Sequence, residues 1–305
     1  MDAIQKRILM EVAGLESTPH GAYNIRANGQ SAARSVTANI DIVTKEDGSG
    51  IDIYIKPGTV NESVHIPVVL SESGLKEVVY NDFHIGENSD VVIVAGCGIH
   101  NCGDQDSRHD GVHTFYVGKN SKVKYTEKHY GGGDGRGGKI MNPETVVYLE
   151  EGAFLQMEST QIRGVDSTKR NTKIVCGKGA EAIVTERLLT HGEQIAESDM
   201  EIVLDGEDSK GRVISRSVAQ DESSQVFYPR MVGNALCFGH VQCDSIIMGS
   251  AKIKSIPAIT ANCTEAQLVH EAAIGKIAGD QLLKLETLGL TPEEAEECIL
   301  KGFLA

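Results

Sequence analysis

The chain has 305 residues, 29 basic against 43 acidic, for a net charge of −14. That length is enough for one large domain with a substantial core, with or without helical ends. The acidity argues against a nucleic-acid or anionic-membrane partner, since both need a positive footprint, and it fits a protein kept soluble by its charge. With neither a targeting leader nor an apolar run long enough to cross a bilayer, the expected location is the cytoplasm.

Residues 1–13 space Ile4, Ile8 and Val12 four apart with charge between them, which predicts a short amphipathic helix. From about residue 36 the texture changes to short alternating apolar runs such as Ile51–Ile55, Val91–Val94 and Val123–Tyr125. No helix-length periodicity returns until about residue 264, so the middle reads as all-β. A repeat runs through it, an apolar residue entering a Gly/Asn/Ser turn followed by a strand. Its anchors Ile85, Val117 and Leu149 lie 32 residues apart, and Cys176 follows after 27. A drifting period of this size, with almost no two-residue Asn-Gly or Asp-Gly turns, favours a coil-by-coil parallel β-helix over a sandwich of hairpins. Gly131–Gly138 is too glycine-rich to hold a strand, and it lacks the Lys-Ser/Thr pair of a phosphate loop. Ala266 to about Leu288 favours helix, interrupted by Gly275 and Gly279. Thr291-Pro292-Glu293-Glu294 then opens a last helix with a capping hydroxyl, proline at its first position and a glutamate to close the box. The expected division is a helical segment and linker over 1–35, a β-helix core over 36–262 and a helical segment over 263–305.

Seven cysteines in a chain with no secretory signal point to thiols, thiolate ligands or sulfur carriers rather than a disulfide framework. Cys176 and Cys298 read as buried packing residues. Cys243 is followed 27 residues later by His270 and then Glu271, with Cys263 between. In a stack of coils that interval is about one turn, which would let these side chains face each other across neighbouring layers. Thiolate and carboxylate make an exchangeable ligand set for iron; the competing reading is an inert cysteine beside a surface His-Glu pair. A second cluster, Cys97-x-x-His100-x-Cys102 with His109 and His113 downstream, has residue types that chelate zinc or iron, with a polar turn as its rival. His240 can join the Cys243 group, and His191 has no evident partner.

The blocks Cys243–Gly249, Ala266–Ala272, Lys276-Ile277, Asp280–Leu282 and Gly289–Ala295 resemble, in order, the C-terminal signature of SufB of the SUF iron–sulfur assembly machinery. Ser89–Cys97 and Lys122–Tyr125 resemble that family's central β-helix, extending the likeness to about two thirds of the chain. The resemblance implies a right-handed parallel β-helix with short helical N- and C-terminal segments. It implies a scaffold rather than an enzyme, holding a transient two-iron or four-iron cluster at a dimer interface and releasing it under control of a SufC-like ABC ATPase. Two ATPase copies, docking on the C-terminal segment, and acceptor apoproteins are the implied partners. Residue by residue, it assigns sulfur acceptance to Cys97 and cluster binding to Cys243, Glu271 and His270. Cys102 and Cys263 are not family-wide positions and would complete the ligand set if they face the interface. The long N-terminal region of bacterial SufB is missing, so the sulfur-donor contacts made there do not carry over. One chain carries the SufB-type Cys243 and Glu271 together with His270, the histidine shared by SufB and its sister SufD, and this favours a homodimer. The alternatives are a metalloenzyme built on Cys97, His100, Cys102, His109 and His113, or a non-catalytic β-solenoid interaction module.

Overall fold

In the computed structural model, which describes residues 1–15 and 19–305, the chain winds into a parallel β-solenoid. One face is a 10-stranded sheet and the other an 11-stranded sheet, each built from strands that alternate along the sequence. The expected β-helix is therefore what forms, and its period explains the repeat. Neighbouring strands Asp90–His100, Lys122–Gly132 and Phe154–Arg163 pair in parallel with Val91 opposite Val123 and Val123 opposite Leu155. Phe154 then lies opposite Glu181, the shorter 27-residue step.

The turn residues of the repeat have one job. Asn88 and Asn120 take φ of 56° and 55°, and Gly152 and Gly179 take 69° and 62° at the equivalent positions. Only asparagine, aspartate or glycine accepts this left-handed conformation cheaply, so the motif spells its corner chemically.

Alternation along each strand sends one set of side chains inward. Phe83 and Phe115 stack at 4.3 Å in the apolar part of the interior, with Ile53, Ile93, Leu155 and Met157 fully buried around them. At the N-terminal end the solenoid is closed by antiparallel strands. Gln30–Ser35 folds back on Ala22–Ala27, and Ile40–Thr44 folds back on Gly50–Ile55. The first of these pairs falls in the expected linker and the second in the expected core; residues 16–18 of that linker lie outside the described residues.

Helix α1 (Ala3–Ala13) forms as expected, capped by Asp2, and buries Ile8, Leu9 and Val12 while Ile4 stays exposed. It lies directly on Asp90–His100, where a Cβ on Gly98 would sit 1.9 Å from Ile8 Cγ2 and one on Gly96 2.6 Å from the Val12 carbonyl oxygen.

Three expectations need correction. Cys176 is buried as expected, but Cys298 is exposed, because the last helix buries Ala295, Leu300 and Leu304 instead. Ala266–Gly275 is a strand, not the start of a helix: ten residues pair in unbroken parallel register with Cys237–Ile247, and that pairing overrides a modest local helix preference. The helices begin later, as α2 (Gly279–Thr287) and α3 (Pro292–Leu304), the latter with the predicted capping box at Thr291. Within the glycine-rich segment, Gly131 and Gly132 complete the strand Lys122–Gly132, and only the residues after them form a loop. Among the described residues no helix is long and apolar enough to cross a membrane.

Candidate functional site

Strand Cys237–Ile247 points Cys237, Gly239, Val241 and Cys243 inward, and the last strand of the same sheet, Ala266–Gly275, points Leu268 and His270 the same way. Cys243 Sγ lies 3.6 Å from His270 Nε2, so the 27-residue interval does bring thiol and imidazole together across one layer. Cys243 is 4% exposed. Burial pushes its thiol up to about 12, with Ser255 pulling slightly the other way and Glu186 and Asp244 adding to the rise. Burial and the nearby His240 lower His270 from its ordinary value, which keeps the ring neutral and its lone pair available at neutral pH.

Glu271 does not join them. As the neighbour of an inward residue on a strand it must face outward, and its side chain is 65% exposed. There it meets His240, also outward, with Nε2 and Oε2 3.6 Å apart. Within one chain the thiol–imidazole pair and the imidazole–carboxylate pair sit on opposite faces of the same sheet. Both lie at the edge, because Ala266–Gly275 is the terminal strand of the sheet and, among the described residues, has no partner beyond it. Cys263 precedes this strand, partly exposed, its thiol 3.0 Å from Glu265 Oε2.

Cys97 also faces the interior, 4% exposed, several coils away. Burial holds its thiol well above the ordinary range, and Glu77, Glu127 and Asp110 push the same way. It borders a cavity of about 20 Å³, room for one water-sized species, shared with His109, His113, Glu127 and His129. His109 and His113 do face one side, as their spacing of four implied, yet His109 binds Glu77 Oε1 at 2.9 Å and His113 binds the Tyr125 hydroxyl at 2.8 Å. His100 ends the strand and Cys102 lies just past it, 3.1 Å apart and away from the cavity. The five-residue metal set of the alternative reading does not converge, and no group of three or more potential ligands among the described residues has metal-binding geometry.

Two inward columns join the Cys97 coil to the Cys243 coil. In one, Ala95, Glu127, Ser159, Glu186, Ser215 and Cys243 lie in register strand by strand; in the other, Cys97, His129, Gln161, Leu188, Ser217 and Ser245 do. Five strand spacings separate the two cysteine-bearing strands, roughly 24 Å. Arg170 enters from the opposite sheet between them. It pairs with Glu127, donates to His129 Nδ1 at 3.1 Å and stands 3.7 Å from Glu186 Oε1. Glu186 in turn accepts from Ser198 Oγ at 2.8 Å and Ser215 Oγ at 3.4 Å. Burial works against ionisation of Glu127, but Arg170 and then His129 outweigh it and hold its carboxyl well below the usual range. Sequence reading missed Glu127, Arg170 and Glu186, as well as Cys237 on the inward face six residues before Cys243. Alternation combined with the coil period could have placed them.

A profile described as the SUF system FeS cluster assembly SufBD core domain matches residues 73–303. The chain belongs to the SufBD family. It is 28% identical over 264 residues to an iron–sulfur cluster assembly SufBD family protein of Methanocaldococcus jannaschii, covering 85% of this chain and 82% of that one. A relative of the same description from Archaeoglobus fulgidus is also 28% identical, covering 85% and 69%. One from Pyrococcus horikoshii is 26% identical over 305 residues, covering 96% and 84%. SufBD membership gives this chain a role in iron–sulfur cluster assembly, as a component of the assembly machinery.

Proposed function

We propose that this SufBD chain is the scaffold on which a nascent iron–sulfur cluster is built, at an interface between two copies, with release governed by a partner ABC-type ATPase. The observation that carries this reading is the Cys243–His270 pair, 3.6 Å apart on the last coil of an open-ended solenoid. A second copy adding its own terminal strand along the unpaired edge of Ala266–Gly275 would satisfy the free backbone groups and double the ligand set. Glu271 and His240 on the outer face, and Cys263 at the start of the terminal strand, would then supply the remaining exchangeable ligands from both copies. A carboxylate among thiolates makes the cluster easier to surrender.

Cys243 in the single chain is a protonated thiol. Binding iron must displace that proton, which a metal ion does by stabilising the thiolate. His270, neutral, is suited to take it or to ligate. Sulfur held as persulfide on Cys97 would leave as hydrosulfide once a two-electron reductant cleaved the S–S bond, and the polar inward columns, where Arg170, the histidines and the serine hydroxyls offer hydrogen bonds to an anion, would be its route. Two ATPase subunits docked on the C-terminal helices would, on closing, bias the paired solenoids toward a state that exposes the cluster.

The test is anaerobic co-purification with the cognate ATPase, reconstitution with iron and sulfide, and absorption and Mössbauer spectra of wild type and Cys243→Ser. A cluster present in wild type and lost in the variant supports the scaffold, and its isomer shift distinguishes two-iron from four-iron. The same cluster in both, or none in either, overturns this assignment of Cys243.

A further inference from the structure

Cys97, as an interior thiol, is out of reach of a donor protein. An exposed thiol does stand at the surface nearby. Cys102 is exposed, just beyond the end of strand Asp90–His100, with its Sγ 3.1 Å from His100 Nε2. The other ring nitrogen of His100 is buried, and among the described residues it has no hydrogen-bond partner. A proton on that buried Nδ1 leaves the Nε2 lone pair directed at the thiol, the arrangement of a nucleophile and its base.

The surroundings hold this geometry. Asn101 is fully buried; its backbone N–H donates to the Gly132 carbonyl at 3.0 Å, and its side-chain oxygen accepts from the Gly103 N–H at 3.1 Å. The glycine-rich segment packs backbone against backbone beneath it. A Cβ on Gly133 would lie 2.3 Å from the Asn101 carbonyl oxygen, and one on Gly135 2.5 Å from the Cys102 carbonyl carbon. These glycines are a mount for the Cys102 segment.

We propose that the Cys102–His100 pair is a surface acceptor of sulfane sulfur from a persulfide donor, R–S–SH, acting ahead of the buried Cys97. The proposal rests on the assembly reading above. His100 Nε2 takes the thiol proton, and the Cys102 thiolate attacks the outer sulfur of the donor. One S–S bond forms on Cys102 as the donor's S–S bond breaks. The donor leaves as R–S⁻ and recovers a proton from the imidazolium, so no oxidant or reductant is consumed.

The test treats the full chain anaerobically with cysteine persulfide and maps the added sulfur by peptide mass spectrometry, with exposed Cys298 as the internal control. Cys102 should gain sulfur at least about tenfold faster than Cys298, and His100→Gln should bring Cys102 down to the Cys298 rate. Sulfur arriving first on Cys97 or Cys298, or indifference to His100→Gln, overturns the proposal. In reconstitution with iron and an added two-electron reductant that does not cleave free persulfide, needed to bring sulfane sulfur to the sulfide level, Cys102→Ser should fail with persulfide as the sulfur source and succeed with inorganic sulfide, whereas Cys243→Ser should fail with both. A Cys102→Ser protein that builds clusters normally from both sources sinks the acceptor role and leaves the scaffold reading standing. A wild-type complex that builds none from either source sinks the scaffold reading, and the acceptor role with it.

Discussion

Replacing Arg170 with methionine removes the cation from between two buried carboxylates. The side chains of Arg170, Glu127 and Glu186 are 5%, 4% and 6% exposed, so water cannot take over for the lost guanidinium. Breaking a buried charge network by deleting one partner typically costs about 3–5 kcal/mol, a large share of a domain's total stability. The pH dependence carries a sign that separates this mechanism from simple loss of packing. In the wild type the Glu127 carboxyl is held well below its ordinary 4.5. Its contribution is present above 4.5 and is lost as pH falls toward the depressed folded value. In Arg170→Met the largest charge opposing burial is gone, only the weaker pull of His129 and His113 remains, and the folded value rises toward the ordinary one. The stabilisation that wild-type Glu127 supplies above 4.5 shrinks accordingly. Urea unfolding followed by circular dichroism, from acid to neutral pH, should show a gap between the two proteins that widens toward neutrality. Adding Glu127→Gln should recover about 1–2 kcal/mol, the coupling expected of contacting charges. A gap under about 1 kcal/mol, or one independent of pH, would refute the reasoning.

Cys243, with its thiol near 12 and its surface covered, should react with iodoacetamide roughly a thousandfold more slowly at neutral pH than exposed Cys298 in the isolated chain, as read by peptide mapping. Ile8 Cγ2 occupies the space of a Gly98 Cβ, so Gly98→Ala should lift α1 at about 1–3 kcal/mol, seen as faster proteolysis between the helix and the first strand. On the outer face of the second sheet, Tyr54, His84, Tyr116 and Tyr148 stack at 4.8, 5.2 and 5.6 Å. Tyr116→Ala breaks two of those contacts and should lower stability by about 1–3 kcal/mol in the same urea assay.

Much of this was legible in the sequence, for physical reasons. The asparagines and glycines of the repeat must take positive φ, so the corners announce the coils, and the 27-residue interval placed Cys243 against His270. What the sequence reading lost was the strand state of Ala266–Gly275, whose local composition suits a helix and whose pairing partner lies 29 residues upstream in Cys237–Ile247. That single miss hid the outward turn of Glu271, because alternation separates it from His270 only on a strand. Glu127, Arg170 and Glu186 stayed hidden because they meet from different coils and opposite sheets. Their contact follows from register, which no short motif carries.

The two ends of the solenoid are unlike, and that difference bears on whether the protein polymerises. At the N-terminal end the outermost strands run antiparallel to the stack, with Arg34 reaching across to Thr44 Oγ1 at 2.9 Å. At the other end the outermost strand continues the parallel ladder with its edge bare. Head-to-tail growth into a filament needs two complementary ends, and a blunted end cannot template a parallel strand. Bare edges can still meet each other about a twofold axis. In the proposed pairing such a contact would use up both edges at once and leave a closed particle with blunt tips, so the same edge that would join two copies would also stop growth at two.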